Sequence, residues 1–424
     1  TGLPTEWQPG DFDPDSGTWK PETSTNVAWV AALGSQSYGN PVVAGGQAYV
    51  GTNNGKGWLK RYPATVDLGC LLAFDVKDGS FLWQDSSEKL PTGRVHDWPL
   101  QGICCAPLVE GDRLWYVTSR GEVKCLDTAG FRDGENDGPF SGEKVQAEDE
   151  ADVVWVLDMM KELGVSQHNM CSCSVTAAGD RLFVITGNGV DEGHINLPNA
   201  EAPSFLCIDK RDGRVLWADN TPGANVLHGQ WSSPAFAEID GVPQAIFGGG
   251  DGWVYAFDAR GENGQARMLW EFDCNPKEAK YALGGRADRN HIIGTPVIHD
   301  GLTVHGVAWA FTTTFAANWL PVTWLSHMLD CQLFGVDPGP QHVVNVIFHG
   351  ANVLLLFLWL TSLTGRPLRS GAVAMLFAWH PLQVDTVAWI AERKDVLSAL
   401  LGFATLWAWG RALRGWMSAR RDVA

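Results

Sequence analysis

One phrase occurs twice in this 424-residue chain at identical spacing: an apolar run, then Asp-x3-Gly-x3-Trp. It runs from Leu71 through Asp75 and Gly79 to Trp83, and again from Phe205 through Asp209 and Gly213 to Trp217. The Asp can cap a turn, the Gly can take positive φ, and the Trp can fill the gap between stacked sheets. A looser version leads from Tyr255 through Asp258, Gly261 and Gly264 to Trp270, and a degenerate one holds Cys125-Leu126-Asp127 and Gly130. Upstream of each stands a second hairpin signal, apolar runs broken at Gly45-Gly46, Gly111-Asp112, Gly179-Asp180 and Asp240-Gly241. Two hairpins per unit make a four-stranded sheet, and repeated sheets of this kind predict an all-β propeller over residues 1–301. About four blades fit, with a fifth opening at Ile293–Ile298, so the ring is expected to be incomplete and to leave an open blade edge. The acidic stretch from about Phe131 to Asp152 reads as a solvated loop.

The remainder of the chain reads as lipid-solvated. No Asp, Glu, Lys or Arg lies between Pro338 and Gly365, and Val343–Leu363 alone is long enough as a helix to cross a hydrocarbon core of about 30 Å. Further spans are predicted at 370–390 and 396–413, after an extracytoplasmic connector at 302–342 and before a basic cytoplasmic tail at 414–424. Residues 302–424 carry eight Arg or Lys against six Asp or Glu, a net of +2, so the −17 of the whole chain puts −19 on residues 1–301. So acidic a front argues against nucleic acid as a partner. Arg366 and Arg369 lie between the first two spans, and Arg411, Arg414, Arg420 and Arg421 follow the third. The positive-inside rule therefore puts the propeller on the periplasmic side of the cytoplasmic membrane. The expected partners are membrane lipid and a protein bound through the propeller face or the open blade edge.

Gly34 to Pro41, Asp158 to Gly164, His228 to Pro234 and Gly248 to Trp253 resemble bacterial pyrroloquinoline-quinone-like (PQQ-like) repeat propellers. That group is similar to the propeller lipoprotein of outer-membrane assembly and, more distantly, to quinoprotein alcohol dehydrogenases. The resemblance implies an exported propeller. Trp309 to Thr314, Trp324 to Cys331, His380-Pro381-Leu382 and Ala391 to Ser398 look like the membrane part of tetratricopeptide-repeat proteins similar to O-mannosyltransferases that use lipid-linked sugars. The acidic motif on which those enzymes depend has no counterpart here, so glycosyl transfer is not expected. Both resemblances stop between Asp300 and Val307, which reads as a chimeric junction made by fusion, recombination or misassembly.

The expected role is binding or scaffolding, with a PQQ-dependent oxidoreductase, using PQQ and calcium, as the alternative and an inactive glycosyltransferase fragment as a second. Candidate cofactor-binding residues are Cys104, Cys105, His228, Gln230, Trp231 and Asp251. In the quinoprotein dehydrogenases a vicinal disulfide packs on the quinone, which the resemblance would assign to Cys104-Cys105. The plainer reading puts two small residues at the start of a blade strand, one facing each side. His168-Asn169, His228 to Trp231 and Arg289-Asn290-His291 each precede a blade's first strand, where they could line the central funnel or bond neighbouring blades together. Cys171-Ser172-Cys173 places two thiols on one strand face, as metal grip or as buried packing. Gly248 to Gly252 reads as a turn. His380, Asp385, Glu392, Arg393, Lys394 and Asp395 read as an ion-pair loop at the outer membrane face rather than as a catalytic group.

Overall fold

The computed structural model describes residues 6–239, 241–298, 304–312, 320–334, 338–381, 387–388 and 392–421. The chain forms two compact units, Thr1–Ile298 and His299–Ala424.

The front unit holds four antiparallel sheets of four strands, each a meander in which sequence neighbours pair. Blade one is β1 (Val42–Ala44), β2 (Gln47–Asn53), β3 (Leu68–Asp75) and β4 (Phe81–Glu88); blade two is β5 (Leu108–Glu110), β6 (Arg113–Val117), β7 (Glu122–Asp127) and β8 (Val153–Asp158). Blade three is β9 (Thr176–Ala178), β10 (Arg181–Ile185), β11 (Phe205–Asp209) and β12 (Val215–Asp219); blade four is β13 (Ala235–Ile239), β14 (Val242–Gly248), β15 (Trp253–Asp258) and β16 (Met268–Asp273). A short helix, α1 (Met159–Leu163), follows β8 and is capped by Asp158, whose carboxylate accepts from the Lys161 amide. In the first hairpin Ala44 pairs with Gln47 around Gly45 and Gly46, both at positive φ, as a two-residue turn matched to strand twist requires.

The Asp of each phrase caps its turn from the side chain. Asp75, Asp127, Asp209 and Asp258 accept the amide two residues on, at 2.8, 2.6, 3.0 and 3.0 Å. The Trp of each phrase sits opposite a small residue of the neighbouring strand: Trp83 faces Ala73, Trp155 faces Cys125, Trp217 faces Cys207 and Trp270 faces Ala256. Trp155 is the counterpart missing from the degenerate phrase, displaced in sequence by the acidic insertion.

These indoles join one blade to the next. Trp83 donates to the Thr128 carbonyl of blade two at 3.0 Å, Trp155 to Lys210 of blade three at 3.3 Å, and Trp217 to Ala259 of blade four at 3.3 Å. Trp29, ahead of blade one, donates to Val76 in the same way at 2.7 Å. Each acceptor follows the capping Asp directly, and each ring lies on the glycine of that turn. A Cβ on Gly213 would stand 2.6 Å from the Trp155 ring, so only glycine leaves room for the indole. Trp83, Trp155 and Trp217 are at most 3% exposed. Among the described residues no further sheet follows that of Trp270; it bonds Gln244 within its own sheet and is 39% exposed, as is Met268 beside it. Residues 293–298, expected to open a fifth blade, carry no strand. Ile292 and Gly294 are instead tied to blade four through Gly249 and Ser232, with no strand among the described residues to pair with them.

The acidic insertion is not simply solvated. Its middle is exposed, but Phe131, Glu150 and Asp152 are buried. Glu150 pairs with Arg61 of blade one, Asp137 with Arg113 at 2.8 Å, and Gln84 bonds Asp149 through the backbone. The insertion therefore straps the first two blades, because its carboxylates find an arginine on each of them.

The second unit is helical: α2 (Val304–Thr312), α3 (Pro321–Phe334), α4 (Pro338–Thr364), α5 (Pro367–Trp379) and α6 (Arg393–Arg421). Among the described residues one helix segment, Gly339–Thr364, is long and apolar enough to cross a membrane. Its Val343, Val346, Ile347, Leu354 and Leu363 are each more than half exposed, which suits lipid and not water. The span expected at 370–390 is shorter here: α5 ends at Trp379, and His380 is extended before Pro381, whose ring disfavours a helical predecessor. Its thirteen residues reach only about 20 Å. Residues 382–386 and 389–391 of that span lie outside the described residues. The 414–421 stretch continues α6.

Burial, first, and the neighbouring carboxylates raise Asp152 to about 6 from 3.8. Its Oδ2 accepts the Asp137 amide at 2.8 Å, and Oδ1 is buried without a partner among the described residues. Between about 4 and about 6 the folded chain thus holds a proton that the unfolded chain releases, so this group's contribution to stability falls as pH rises through that window. Asp152→Asn is expected to gain stability relative to the parent across the same window, read from urea midpoints; parallel midpoint curves for the two proteins would contradict the assignment.

Candidate functional site

The segments leading into the four blades converge on one open cavity of about 590 Å³. Gly39 and Asn40 come from the approach to β1, Cys104 and Ala106 from that to β5, Met170 and Ser174 from that to β9, and Trp231 and Ser233 from that to β13. Serine bonds knit these approaches together. The Ala106 amide donates to Ser174 Oγ at 2.9 Å, the Ser174 amide to Ser233 Oγ at 3.0 Å, and Ser232 Oγ to the Gly294 carbonyl at 2.9 Å. Tyr38, Trp98 and Gln101 add aromatic and amide surface. Among the described residues that line the cavity, none is Asp, Glu, Lys, Arg or His.

Of the candidate cofactor-binding residues, Cys104 and Trp231 reach this cavity, and Asn169 and Ser172 from the other stretches picked out in the sequence line it too. Cys104 Sγ lies 3.5 Å from Met170 Sδ, while Cys105 Sγ turns into the blade core and donates to the Val117 carbonyl at 3.1 Å. Burial pushes the Cys104 thiol up to about 11 and the Cys105 thiol up to about 12. His228 stands one layer behind Trp231, their rings 5.1 Å apart. Gln230 is buried between blades, donating to Asn188 O at 3.1 Å and Ser204 Oγ at 2.9 Å and accepting from the Gly250 amide. Asp251 is buried too, accepting from the Tyr255 hydroxyl at 2.6 Å and from the Trp253 amide at 3.2 Å. Cys171 and Cys173 both engage the Ile185 backbone.

Behind Trp231 three imidazoles meet. His168 lies on the approach to blade three, His228 on the approach to blade four, and His194 in the β10–β11 connection. His194 went unnoticed in the sequence because it precedes no strand; the nearest cue is Asp191-Glu192-Gly193, whose aspartate accepts the amides of Ile195 and Asn196 at 2.9 and 3.2 Å and shapes the loop. The three ring centroids are separated by 4.5–4.8 Å. Burial, then the neighbouring histidines, lowers His228 to about 4, and burial also lowers His168 and His291.

In the helical unit Arg393 is fully buried. It pairs with Asp330 of α3 and also donates to Ser326 at 3.2 Å, to Asn345 of α4 at 2.8 Å and to the Gln341 carbonyl at 2.8 Å. A buried guanidinium with four of its five N–H groups bonded in this way is a packing pin between helices. Lys394 pairs with Glu392. Asp385 lies outside the described residues.

No protein-family model matches the chain. It is 33% identical over 114 residues to "Protein O-mannosyl-transferase Tmtc1" of Drosophila melanogaster, covering 26% of this chain and 12% of that protein. It is 35% identical over 103 residues to the mouse (Mus musculus) TMTC1 protein, covering 24% of this chain and 11% of that one. The chain thus spans about an eighth or less of the curated relatives it matches. Similar solved structures include BamB from Moraxella catarrhalis, at 17% identity and a TM-score of 0.34 over 64% of this chain and 55% of that one. Another is quinohemoprotein alcohol dehydrogenase ADHIIG from Pseudomonas putida HK5, at 11% identity and 0.35 over 59% and 36%. At these scores the likeness bears on no argument about the site. The solved structures are similar in fold alone, and the match to the O-mannosyltransferases takes in about a quarter of this chain.

A ring-closed Cys104–Cys105 disulfide would require Cys105 to leave Val117 and the blade core. Denatured, unreduced protein treated with iodoacetamide is therefore expected to carry a label on both cysteines by peptide mass spectrometry. An unlabelled pair that takes label only after reduction would contradict this placement.

Proposed function

We propose that the chain is a membrane-anchored, extracytoplasmic PQQ-like propeller that serves as a binding or scaffolding module, its central cavity taking an uncharged, hydrogen-bonding ligand such as an extended segment of a protein partner. The observation that carries this reading is the lining of that cavity: amide, hydroxyl and aromatic groups from all four blades, with no charged side chain among them. Apolar walls with a few fixed polar groups suit such a ligand. PQQ bears several carboxylates, and calcium takes hard oxygen ligands, usually carboxylates. The cavity lining supplies neither a cation for the one nor a carboxylate for the other, and Asp251 is occupied by Tyr255 and Trp253. The residues present therefore do not fit the calcium–quinone pair.

The position of Cys104 on the cavity wall keeps the PQQ-dependent oxidoreductase as the second reading. Purified full-length chain mixed with PQQ and calcium is expected neither to hold the quinone's absorbance through gel filtration nor to reduce a dye with an alcohol substrate. Retained absorbance with calcium-dependent reduction would replace the binding reading with the enzymatic one. The third reading, an inactive glycosyltransferase fragment, draws on the partial match to the O-mannosyltransferases, but four of the five N–H groups of the buried Arg393 are already held by protein acceptors.

The exposed apolar face of α4 and the basic residues around the spans support anchoring with the propeller outside. Glu135, exposed in the acidic insertion, gives a handle. In intact spheroplasts of a bacterial host expressing the chain with an export leader, Glu135→Cys is expected to react with a membrane-impermeant maleimide, in a background where Cys274 and Cys331 are serine. Labelling only after lysis would reverse the sidedness.

A further inference from the structure

The imidazole cluster at the junction of blades three and four has the composition and spacing of a metal centre. We propose that His168, His194 and His228 form a binding site for a divalent first-row transition cation, with zinc as its simplest occupant. One ligand atom from each ring lies within 4.8 Å of the others.

His168 is the best-defined member. It is 1% exposed, its Nδ1–H donates to the Val190 carbonyl at 2.7 Å, and its Nε2 is buried without a hydrogen-bond partner among the described residues. A carbonyl at Nδ1 fixes the tautomer that leaves the Nε2 lone pair free, the arrangement that backs metal-bound histidines. An orphaned buried acceptor is costly unless something fills the place it faces.

The Nε2 atoms of His194 and His228 are 2.8 Å apart. Between neutral rings that contact needs one N–H donated to the other nitrogen. A cation takes the place of this proton when the donor ring moves its hydrogen to Nδ1, so three neutral imidazoles bind with no net proton released. Zinc–nitrogen bonds of about 2.0–2.1 Å in tetrahedral geometry set ligand nitrogens about 3.3 Å apart, so this pair must spread by about half an ångström. Two segments enter the cluster in left-handed backbone at some cost: His194 in its loop is at φ 56, and Asn169 beside His168 on the approach to blade three is at φ 62.

Three histidines leave a fourth position open. The His291 ring is 5.9 Å from that of His228, and its Nε2 is also buried without a partner among the described residues. Trp231 packs within 6 Å of the His168, His228 and His291 rings and also lines the central cavity. A bound ion would thus sit one indole from the cavity while stapling two blades. This site does not depend on what the cavity binds.

The test uses the full chain in detergent, stripped with EDTA and titrated with zinc or cobalt(II). One zinc per chain is expected by elemental analysis after gel filtration, and cobalt(II) is expected to give the visible bands of a low-coordinate nitrogen site. His194→Ala changes a loop side chain, and His168→Asn changes the buried anchor; each is expected to weaken zinc binding by at least about the tenfold to hundredfold that loss of a residue backing a ligand costs. His96→Asn, outside the cluster, is expected to bind as the parent does. Parent protein that takes up no zinc, or a folded His194→Ala that binds it as tightly as the parent, would overturn the proposal.

Discussion

The front unit stands on one contact made four times: an indole laid on the turn glycine of a neighbouring sheet while its N–H closes on the carbonyl next to the capping aspartate. Each such ring removes a large apolar surface from water and satisfies its polar edge in the same movement. The geometry is directional, since blades one to three give their Trp forward and every blade receives one from behind. Such a chain of contacts ends cleanly only by closing on itself. Here Trp29 supplies the first blade from outside the sheets, and Trp270 is left without a receiver.

That open succession shapes the site. Because each blade fixes the next, the four approach segments arrive at the axis in register, and serines at matching places bond across them. The result is a neutral cavity inside a domain of strongly negative charge. Carboxylates crowd the turns and the insertion, where arginines or backbone amides meet them, and are kept away from the axis. A ligand entering the cavity gives up water for amide and hydroxyl groups and meets no fixed charge on the wall.

Much of this was legible in the sequence because the repeat encodes its own physics. Asp75, Gly79 and Trp83 declare cap, turn and inter-sheet wedge at a fixed spacing, and the structure places each in that role. Trp155 was hidden by the insertion, which breaks spacing yet leaves Trp155 opposite Cys125. The strap role of Glu150 was hidden too, since its partner Arg61 is 89 positions away and nothing local announces it. At the site, Cys104 and Trp231 reach the cavity because residues just ahead of inner strands face the axis. Gln230 sits beside Trp231 in sequence yet points between blades, a difference of side-chain direction that composition cannot carry. His194 enters through a loop in left-handed backbone, the kind of placement that only the fold reveals.

The forward docking of tryptophan is most directly tested by indole oxidation of the native chain with brief hydroxyl-radical exposure, resolved residue by residue by mass spectrometry. Trp270 is predicted to oxidise readily while Trp83, Trp155 and Trp217 remain protected until the protein unfolds. Oxidation of those three at the rate of Trp270 in folded protein would contradict the blade-to-blade contact from which the rest of the structure follows.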